Sequence, residues 1–472
     1  MARVQRRRLE DDYTDDRISM LPDEILVLIL SSLSLKEAMA TSLLSSRWKN
    51  LWMLTSSKLD LRIDFLETFK RMGNCERHTL QCNYVGWVDR LLTRLQVVKP
   101  STNLVEFRLS FNLSSSFASW IDDWLSYAVS RKVERLDLFF VANYFEEKRY
   151  SFPYKEGNFP DNLSLLKRLS LHYVDVSGEA VAFMLGNCRL LEKLSLHQAG
   201  RVSSLEVVGT SPVFKCLGIS DCMRLVSVVV RGSELVCIKY RAVGNVGCRF
   251  VLVDVPLLTQ LSIQSEPCLL DFMLDMFGSV LPQLHTLEIY STSIVSHGLN
   301  FVTKMMPNLK QFVVVRLGSD CCGKCSLMPW FSVVSSPCLQ RFVFEASHRE
   351  VSKIRCNCST FQLPFLTDVG GVGDHDGVFL SRGRDRIHNS YSQLKEVEFI
   401  GYRGMSNQFQ MIKQFLKYGT ALDKIILDPR SFEHRLHMPW DRIYRNHTGD
   451  EILARNRARD QFENSRINVT IL

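Results

Sequence analysis

A group of six cysteines between residues 321 and 358 comes closest to the composition and spacing of a metal site. Its members are Cys321, Cys322, Cys325, Cys338, Cys356 and Cys358. Cys322 and Cys325 have the spacing of a zinc knuckle, but structural zinc needs a second matched pair. Cys356 and Cys358 are only one residue apart and form a poor second pair. The spacing therefore favours reduced loop thiols over a zinc site, and we expect no cofactor.

Catalytic patterns are not evident elsewhere. The sequence has no HExxH motif and no phosphate-binding loop ending in GKS or GKT. Asp374, His375 and Asp376 lie in a polar stretch with several glycines, where solvated charge is the favoured interpretation. We therefore expect a binding protein without catalytic residues. A pocket lined by groups with strongly shifted pKa values would instead favour an enzyme.

Charge and hydropathy exclude two further classes of function. The net charge of +8 over 472 residues is modest and spread along the chain, so we expect no nucleic-acid partner. Arg6–Arg8 reads as a solvated tail or as a fragment of a nuclear signal. The longest apolar run, Ile25–Leu30, is too short for a membrane span, and we expect no signal peptide because the first residues are charged rather than apolar. We expect a protein of the nucleus, the cytoplasm or both, with reduced cysteines.

The first elements that the sequence predicts are three short helices in residues 17–58. Leu21 and Pro22 mark a helix start, and Ile25, Ile29 and neighbouring apolar residues follow at helical spacing. Ser34 and Glu37 form a predicted capping box for the second helix, and Ser45 or Ser46 is expected to cap a third. So short a segment cannot bury all its apolar side chains. They must pack on the following domain, as a helical cap would, or on another protein.

This segment resembles the F-box, by which substrate receptors of SCF-type cullin–RING ubiquitin ligases bind the adaptor subunit. The matching residues are Leu21, Pro22, Glu24, Ile25, Ile29, Leu33, Ser45, Arg47, Trp48 and Leu51. The resemblance implies an SCF adaptor as partner and, through it, a cullin. It also implies adaptor contacts at Leu21, Pro22, Ile25, Leu26, Ile29 and Leu30. Trp48 is open to either interpretation, adaptor contact or F-box core.

A repeat of three apolar anchors, spaced by two residues and then by one, runs through the middle of the chain. The repeats start at Leu104, Val133, Leu166, Leu191, Phe214, Leu235, Leu258, Leu284, Leu309 and Leu339. Most steps are 21–33 residues, close to the period of a leucine-rich repeat. Each repeat predicts a strand, with helices at 119–130 and 178–187, and an extra half-step at Leu225 predicts arcs without helices. The predicted fold class is α/β: the three N-terminal helices are followed by an irregular leucine-rich-repeat solenoid, with a curved parallel sheet and outer helices and loops.

The residues beside the anchors should form the inner face of this sheet and bind a partner. Seven of them are basic or histidine: Arg168, His172, Lys193, His197, Arg231, Lys239 and Arg241. Arginine and lysine clusters favour acidic or phosphorylated segments, so we expect a target protein of that kind. The alternative is a solvated face without a ligand.

Two further stretches, 119–138 and 394–427, resemble the opening unit and the FBD region of plant F-box proteins with leucine-rich repeats. The predicted organisation is a disordered tail (1–16), an F-box (17–58), a helical linker (59–102), repeats (103–344), a polar loop (345–392), an FBD-like strand–helix–strand cap (393–429) and a basic tail with a terminal helix (430–472). The resemblance implies a substrate receptor of a ubiquitin ligase. A leucine-rich-repeat scaffold without ubiquitin transfer is the alternative.

Overall fold

The structure is a computed structural model that describes residues 18, 20–55, 57–63, 72–98, 103–140, 148–153, 161–242, 248–265, 276–291, 306–316, 338–345, 393–404, 408–409, 412–413, 415–416, 419–430, 449–463 and 467–472. Two compact units divide the chain, residues 1–111 with 119–136 and residues 112–118 with 137–472. Of the helices described, none has the length and apolar character needed to span a bilayer.

Short helices open the first unit. They are α1 (Asp23–Ser31), α2 (Leu35–Ala40), a 3-10 turn (Thr41–Leu43) and α3 (Leu51–Leu54). The predicted capping box is present: the Ser34 N–H donates to the Glu37 carboxylate at 2.9 Å, and the Glu37 N–H donates to the Ser34 hydroxyl at 3.3 Å. The third helix corrects the prediction, because it starts after Asn50 rather than at Ser45 or Ser46, and turns occupy residues 46–50.

Three strands and two longer helices complete the first unit. They are β1 (Lys58–Arg62), α4 (Asn74–Val98), β2 (Glu106–Phe111), α5 (Ala118–Ser130) and β3 (Arg135–Phe140), whose last residues belong to the second unit. Tyr84 of α4 holds these elements together. Its ring stacks on Phe111 at 4.2 Å between centroids, and its hydroxyl donates to the Leu61 carbonyl at 2.7 Å. A buried hydroxyl thus keeps a partner, as burial requires.

Parallel strands carry the repeats of the second unit. They are β4 (Arg168–His172), β5 (Lys193–His197), β7 (Cys216–Ser220), β9 (Cys237–Ala242), β11 (Gln260–Ser265), β12 (Thr286–Ser291), β13 (Gln311–Arg316), β14 (Arg341–Glu345), β15 (Glu396–Ile400), β16 (Lys424–Asp428) and β17 (Asn468–Ile471), each paired with the next. The predicted anchors align in register: Leu169, Leu194, Leu217 and Ile238 are successive partners. The anchors are buried, which confirms the predicted strands.

A second sheet replaces helices in the middle of this unit. Its strands are β6 (Ser204–Val208), β8 (Ser227–Arg231) and β10 (Arg249–Val253), in the order β10-β8-β6. The half-step at Leu225 is therefore confirmed as a strand joined by short arcs. One long helix, α6 (Gly178–Asn187), lies between β4 and β5, where the spacing predicts it.

A residue with left-handed backbone conformation directly follows each of the strands β4, β5 and β7. Tyr173, Gln198 and Asp221 have φ between 51° and 59°. Each N–H donates to the next strand: Tyr173 to His197, Gln198 to Ser220, and Asp221 to Arg241, at 2.7–2.9 Å. Those bonds extend the ladder beyond the strand and offset the cost of the left-handed conformation. They turn the next side chains, Val174, Ala199 and Cys222, into the core.

Both faces of the sheet are buried at β13–β15. Phe312, Phe342 and Phe399 lie on the anchor face, while Val313, Val315, Val343 and Ile400 form an apolar cluster on the opposite face. Strands buried on both faces have continuous rather than alternating apolar sequences, as in Val313–Val315. The solvent-facing inner surface that the sequence predicts is therefore absent at this cluster.

The C-terminal residues form a helix and a strand. Helix α7 (Gly449–Phe462) is followed by β17, which pairs in parallel with β16. The Tyr402 hydroxyl donates to the Gln461 side chain, and the Gln461 amide donates to the Gly404 carbonyl at 3.0 Å. Gly404 has φ of +72°, and a Cβ there would meet Arg457 at 2.7 Å, so glycine is required where α7 approaches.

Candidate functional site

An exposed apolar surface lies on α1. Ile25, Leu28 and Ile29 follow helical spacing and are 42%, 64% and 43% exposed, and Leu33 continues the same stripe. Leu43 and Leu44, after α2, are more exposed still. We call Ile25, Leu28, Ile29 and Leu33 the α1 stripe. A monomeric protein rarely leaves such side chains in water unless a partner covers them.

Two of the predicted adaptor contacts are buried and do not belong to the α1 stripe. Leu26 and Leu30 are 0% and 1% exposed, because they occupy the face of α1 that is turned inward, and α1 packs on α3. This corrects the prediction that both side chains are open to a partner. Leu21 is half-buried and Pro22 is exposed as the N-cap residue of α1.

The end of the F-box segment closes back on its start. Arg47 donates to the Asp23 carboxylate at 2.6 Å and to the Leu21 carbonyl at 2.6 Å. Trp48 is buried, which favours its interpretation as a core residue of this segment over its interpretation as an adaptor contact. These contacts hold the α1 stripe in place and leave it uncovered by its own segment.

The repeat sheet brings together six of the seven predicted target-binding residues. Arg168 lies beside Lys193, and His172 lies beside His197, each pair as direct partners of β4 and β5. Lys239 and Arg241 share the same face on β9. Arg231 is different: it lies on β8 in the second sheet, which corrects its assignment to this face. The half-step at Leu225 leads into β8, which pairs with β6 and β10 and not with the strands that carry the other six residues.

Electrostatics divides the six into charged and neutral residues. Burial lowers the pKa of His172 to about 3, with a smaller contribution from His197. Burial also lowers the pKa of His197, so both imidazoles are neutral at pH 7.

Among the four charged residues, Arg241 is paired with Asp221 at 2.9 Å. For Arg168, Lys193 and Lys239, no carboxylate lies within 4 Å among the residues the structure describes. These three residues are the basic patch.

The predicted zinc cluster lies largely outside the described residues. Cys338 is described as a half-buried free thiol, while the other five cysteines and Asp374–Asp376 are not described. Within the described part of the chain, no three histidine, cysteine or carboxylate side chains are placed to hold a metal ion.

A pair of cysteines on the same face as the basic patch was missed. Cys216 and Cys237 are direct partners of β7 and β9. Each stands two residues after a repeat start, Phe214 and Leu235, so aligning the repeats would have placed them side by side. Their separation of 21 residues in sequence concealed this.

Comparisons with known proteins identify two domains. Residues 18–59 match the F-box domain model, and residues 159–459 match the model described as the At1g61320/AtMIF1 LRR domain. Three Arabidopsis thaliana relatives illustrate the similarity.

F-box/LRR-repeat protein At2g42730 is 26% identical over 87% of this chain and 90% of its own length. F-box/LRR-repeat protein At2g42720 is 27% identical over 85% and 90%. F-box/LRR-repeat protein At3g03360 is 29% identical over 52% of this chain and 50% of its own length. The chain therefore belongs to the plant F-box proteins with a leucine-rich-repeat domain.

Proposed function

We propose that this protein is the substrate-recognition subunit of an SCF-type cullin–RING ubiquitin ligase, acting in the nucleus or cytoplasm. The α1 stripe is the observation that carries the proposal, because it is an uncovered apolar surface within the residues that match an F-box. The adaptor would cover Ile25, Leu28, Ile29 and Leu33, with Leu21 and Pro22 at the edge. Leu26 and Leu30 support the stripe from within.

The contribution of such a subunit to ubiquitin transfer is positional. It forms no bond itself, and instead holds a target near the ubiquitin-carrying enzyme. Tethering replaces a bimolecular encounter by an intramolecular one at high effective concentration, so transfer accelerates without catalytic residues in this chain.

The basic patch supports the choice of target. Arg168, Lys193 and Lys239 project from one face of three strands, and their charges are not neutralised by described carboxylates. A segment with acidic side chains or phosphate groups is complementary to them. His172 and His197 lie beside the patch and offer neutral hydrogen-bonding rings at pH 7.

Adaptor binding is tested by charge substitution on the α1 stripe. The tagged full chain is coexpressed with a plant SCF adaptor, either unchanged or as Ile25→Asp with Ile29→Asp. We expect the double variant to lose adaptor co-purification by at least about tenfold, because burying each isoleucine contributes about 1.5–3 kcal/mol.

The matched control is Val97→Asp with Val98→Asp, two exposed valines on α4. The control should retain the adaptor. Retention by the isoleucine variant, or equal loss in both, contradicts the proposed surface. Adaptor binding without ubiquitin transfer to any captured protein, in a reconstituted cullin–RING reaction, would favour a scaffold instead.

A further inference from the structure

Cys216 and Cys237 stand next to each other on the face of the sheet opposite the anchors. They are register partners on neighbouring parallel strands, so their Cα atoms are about 4.8 Å apart. That separation lies within the range of about 4.4–6.8 Å found for disulfides. Both are free thiols in this structure, and Cys216 is partly exposed while Cys237 is buried.

The surroundings of Cys216 favour its thiolate. Lys193 is its register partner on β5, Arg168 lies one strand further, and Lys239 follows Cys237 on β9. The Cys237 thiol is the register partner of Cys216 and can donate a hydrogen bond to its thiolate. Gly218, the next residue of β7 on this face, has no side chain to shield Cys216.

These contacts separate the two sulfurs chemically. The hydrogen bond from Cys237, helped by the three cations, lowers the pKa of Cys216 to about 6. The same hydrogen bond, together with burial, raises the pKa of Cys237. A partly exposed thiolate beside cations is the arrangement of reactive cysteines, and a neighbouring thiol is what resolves its oxidation.

We propose that Cys216 and Cys237 form a redox-sensitive dithiol, which a hydroperoxide oxidises to an intrachain disulfide. The Cys216 thiolate attacks the peroxide; a sulfur–oxygen bond forms, the oxygen–oxygen bond breaks, and the leaving oxygen takes up a proton. The Cys237 sulfur then attacks the sulfenic acid. A sulfur–sulfur bond forms, hydroxide leaves, and it takes the Cys237 proton as water. Two thiols lose two electrons and the peroxide gains them.

The disulfide should be easily reduced. Side chains of register partners stand nearly parallel, so their Cβ atoms are further apart than the mean of about 3.8 Å in disulfides. Closing that gap needs a local approach of β7 and β9. Disulfides formed under such constraint have higher reduction potentials and are the labile ones.

Peptide mapping of the full chain tests the disulfide. Reduced protein is treated with hydrogen peroxide, alkylated, digested and examined by mass spectrometry, with and without later dithiothreitol. We expect a linked Cys216–Cys237 peptide pair that dithiothreitol releases. Exposed Cys75 and Cys82 and buried Cys188 and Cys222 serve as internal references in the same digest. Oxidation of Cys216 without the link, a link to another cysteine, or no reaction at Cys216 would overturn the proposal.

The pH dependence of alkylation tests the role of Cys237 separately. Modification of Cys216 should have its midpoint near pH 6, against about 8.5 for an ordinary cysteine. Cys237→Ala should raise the midpoint, whereas Cys237→Ser should largely retain it, because a hydroxyl also donates. Circular dichroism checks that both variants fold. A wild-type midpoint near 8.5, or identical midpoints in wild type and Cys237→Ala, contradicts the proposed pair.

Discussion

At the scale of single residues, burial sets the charge of the two histidines near the basic patch. The rings of His172 and His197 lie 5.1 Å apart, and Phe139 covers His172 from the other side at 5.0 Å. The Ser170 hydroxyl is 2.9 Å from Nε2 of His172. Asp221 favours the protonated form of His197, but burial and Arg241 outweigh it. Two residues that the sequence presents as basic are therefore neutral.

This neutrality predicts how stability depends on pH. The folded pKa of His172, about 3, lies below the unfolded value of about 6.5, so only the unfolded chain takes up this proton between those values. Stability falls as pH drops through that window. From pH 7 to 5, His172→Phe should lose less free energy of unfolding than wild type, by up to about 2 kcal/mol. Denaturant titrations at both pH values measure it.

His285→Phe is the control for this comparison, because His285 is an exposed histidine on the same unit. It should keep the wild-type loss between pH 7 and pH 5. If His172→Phe and His285→Phe behave alike, the buried neutral state of His172 is wrong.

At the scale of elements, the repeats were predictable and the additional strands were not. Anchors such as Leu194 and Leu217 recur at regular spacing, so strand positions follow from the sequence. β1 has only Leu59 and Leu61 as signal, and β17 is a short strand after a charged helix; both become strands because a neighbour offers unpaired backbone groups. The inward side of α1 was also beyond sequence, since Ile25 and Leu26 are equally apolar and only packing on α3 distinguishes them.

Because both faces of β13–β15 are buried, shortening a side chain on the face opposite the anchors should destabilise the protein. Val343 belongs to the apolar cluster opposite the anchors and is almost fully buried. Val343→Ala should lower the free energy of unfolding by about 1–3 kcal/mol, through lost apolar burial and the cavity left behind. Chemical denaturation followed by circular dichroism measures it.

Val208→Ala is the matched control, an exposed valine on β6. Its effect should stay within about 0.5 kcal/mol. Equal small effects at both sites would show that the second face at Val343 is solvated.

At the scale of the whole molecule, the two candidate surfaces belong to different compact units. The α1 stripe lies in the first unit and the basic patch in the second. Each surface can thus be altered by substitutions that leave the other unit untouched. Under the proposed function, a chain with Ile25→Asp and Ile29→Asp would still present the basic patch and would hold a target without bringing it to the ubiquitin-carrying enzyme.

Target capture from plant extract with that adaptor-deficient chain tests the basic patch. Adding Arg168→Glu, Lys193→Glu and Lys239→Glu should remove the captured proteins, because an acidic or phosphorylated segment is then repelled. Capture by the adaptor-deficient chain that keeps these three basic residues should also weaken as the salt concentration rises, since surface charges are screened. Quantitative mass spectrometry of the bound proteins measures both effects.

Arg231→Glu is the control, because Arg231 is an exposed arginine on the second sheet. It should leave capture unchanged. The same proteins bound by the triple variant, or lost with Arg231→Glu alone, would contradict the assignment of the patch.

The alternation of β5 to β9 between two sheets restricts how this part of the chain can change in length. Arcs of a few residues join these strands, so no helix or long loop is present to absorb an insertion. One added residue within a strand exchanges its inward and outward side chains, placing Lys239 or Arg241 in the core. The strands between residues 193 and 242 should therefore tolerate neither insertions nor deletions, so this stretch is expected to keep a constant length.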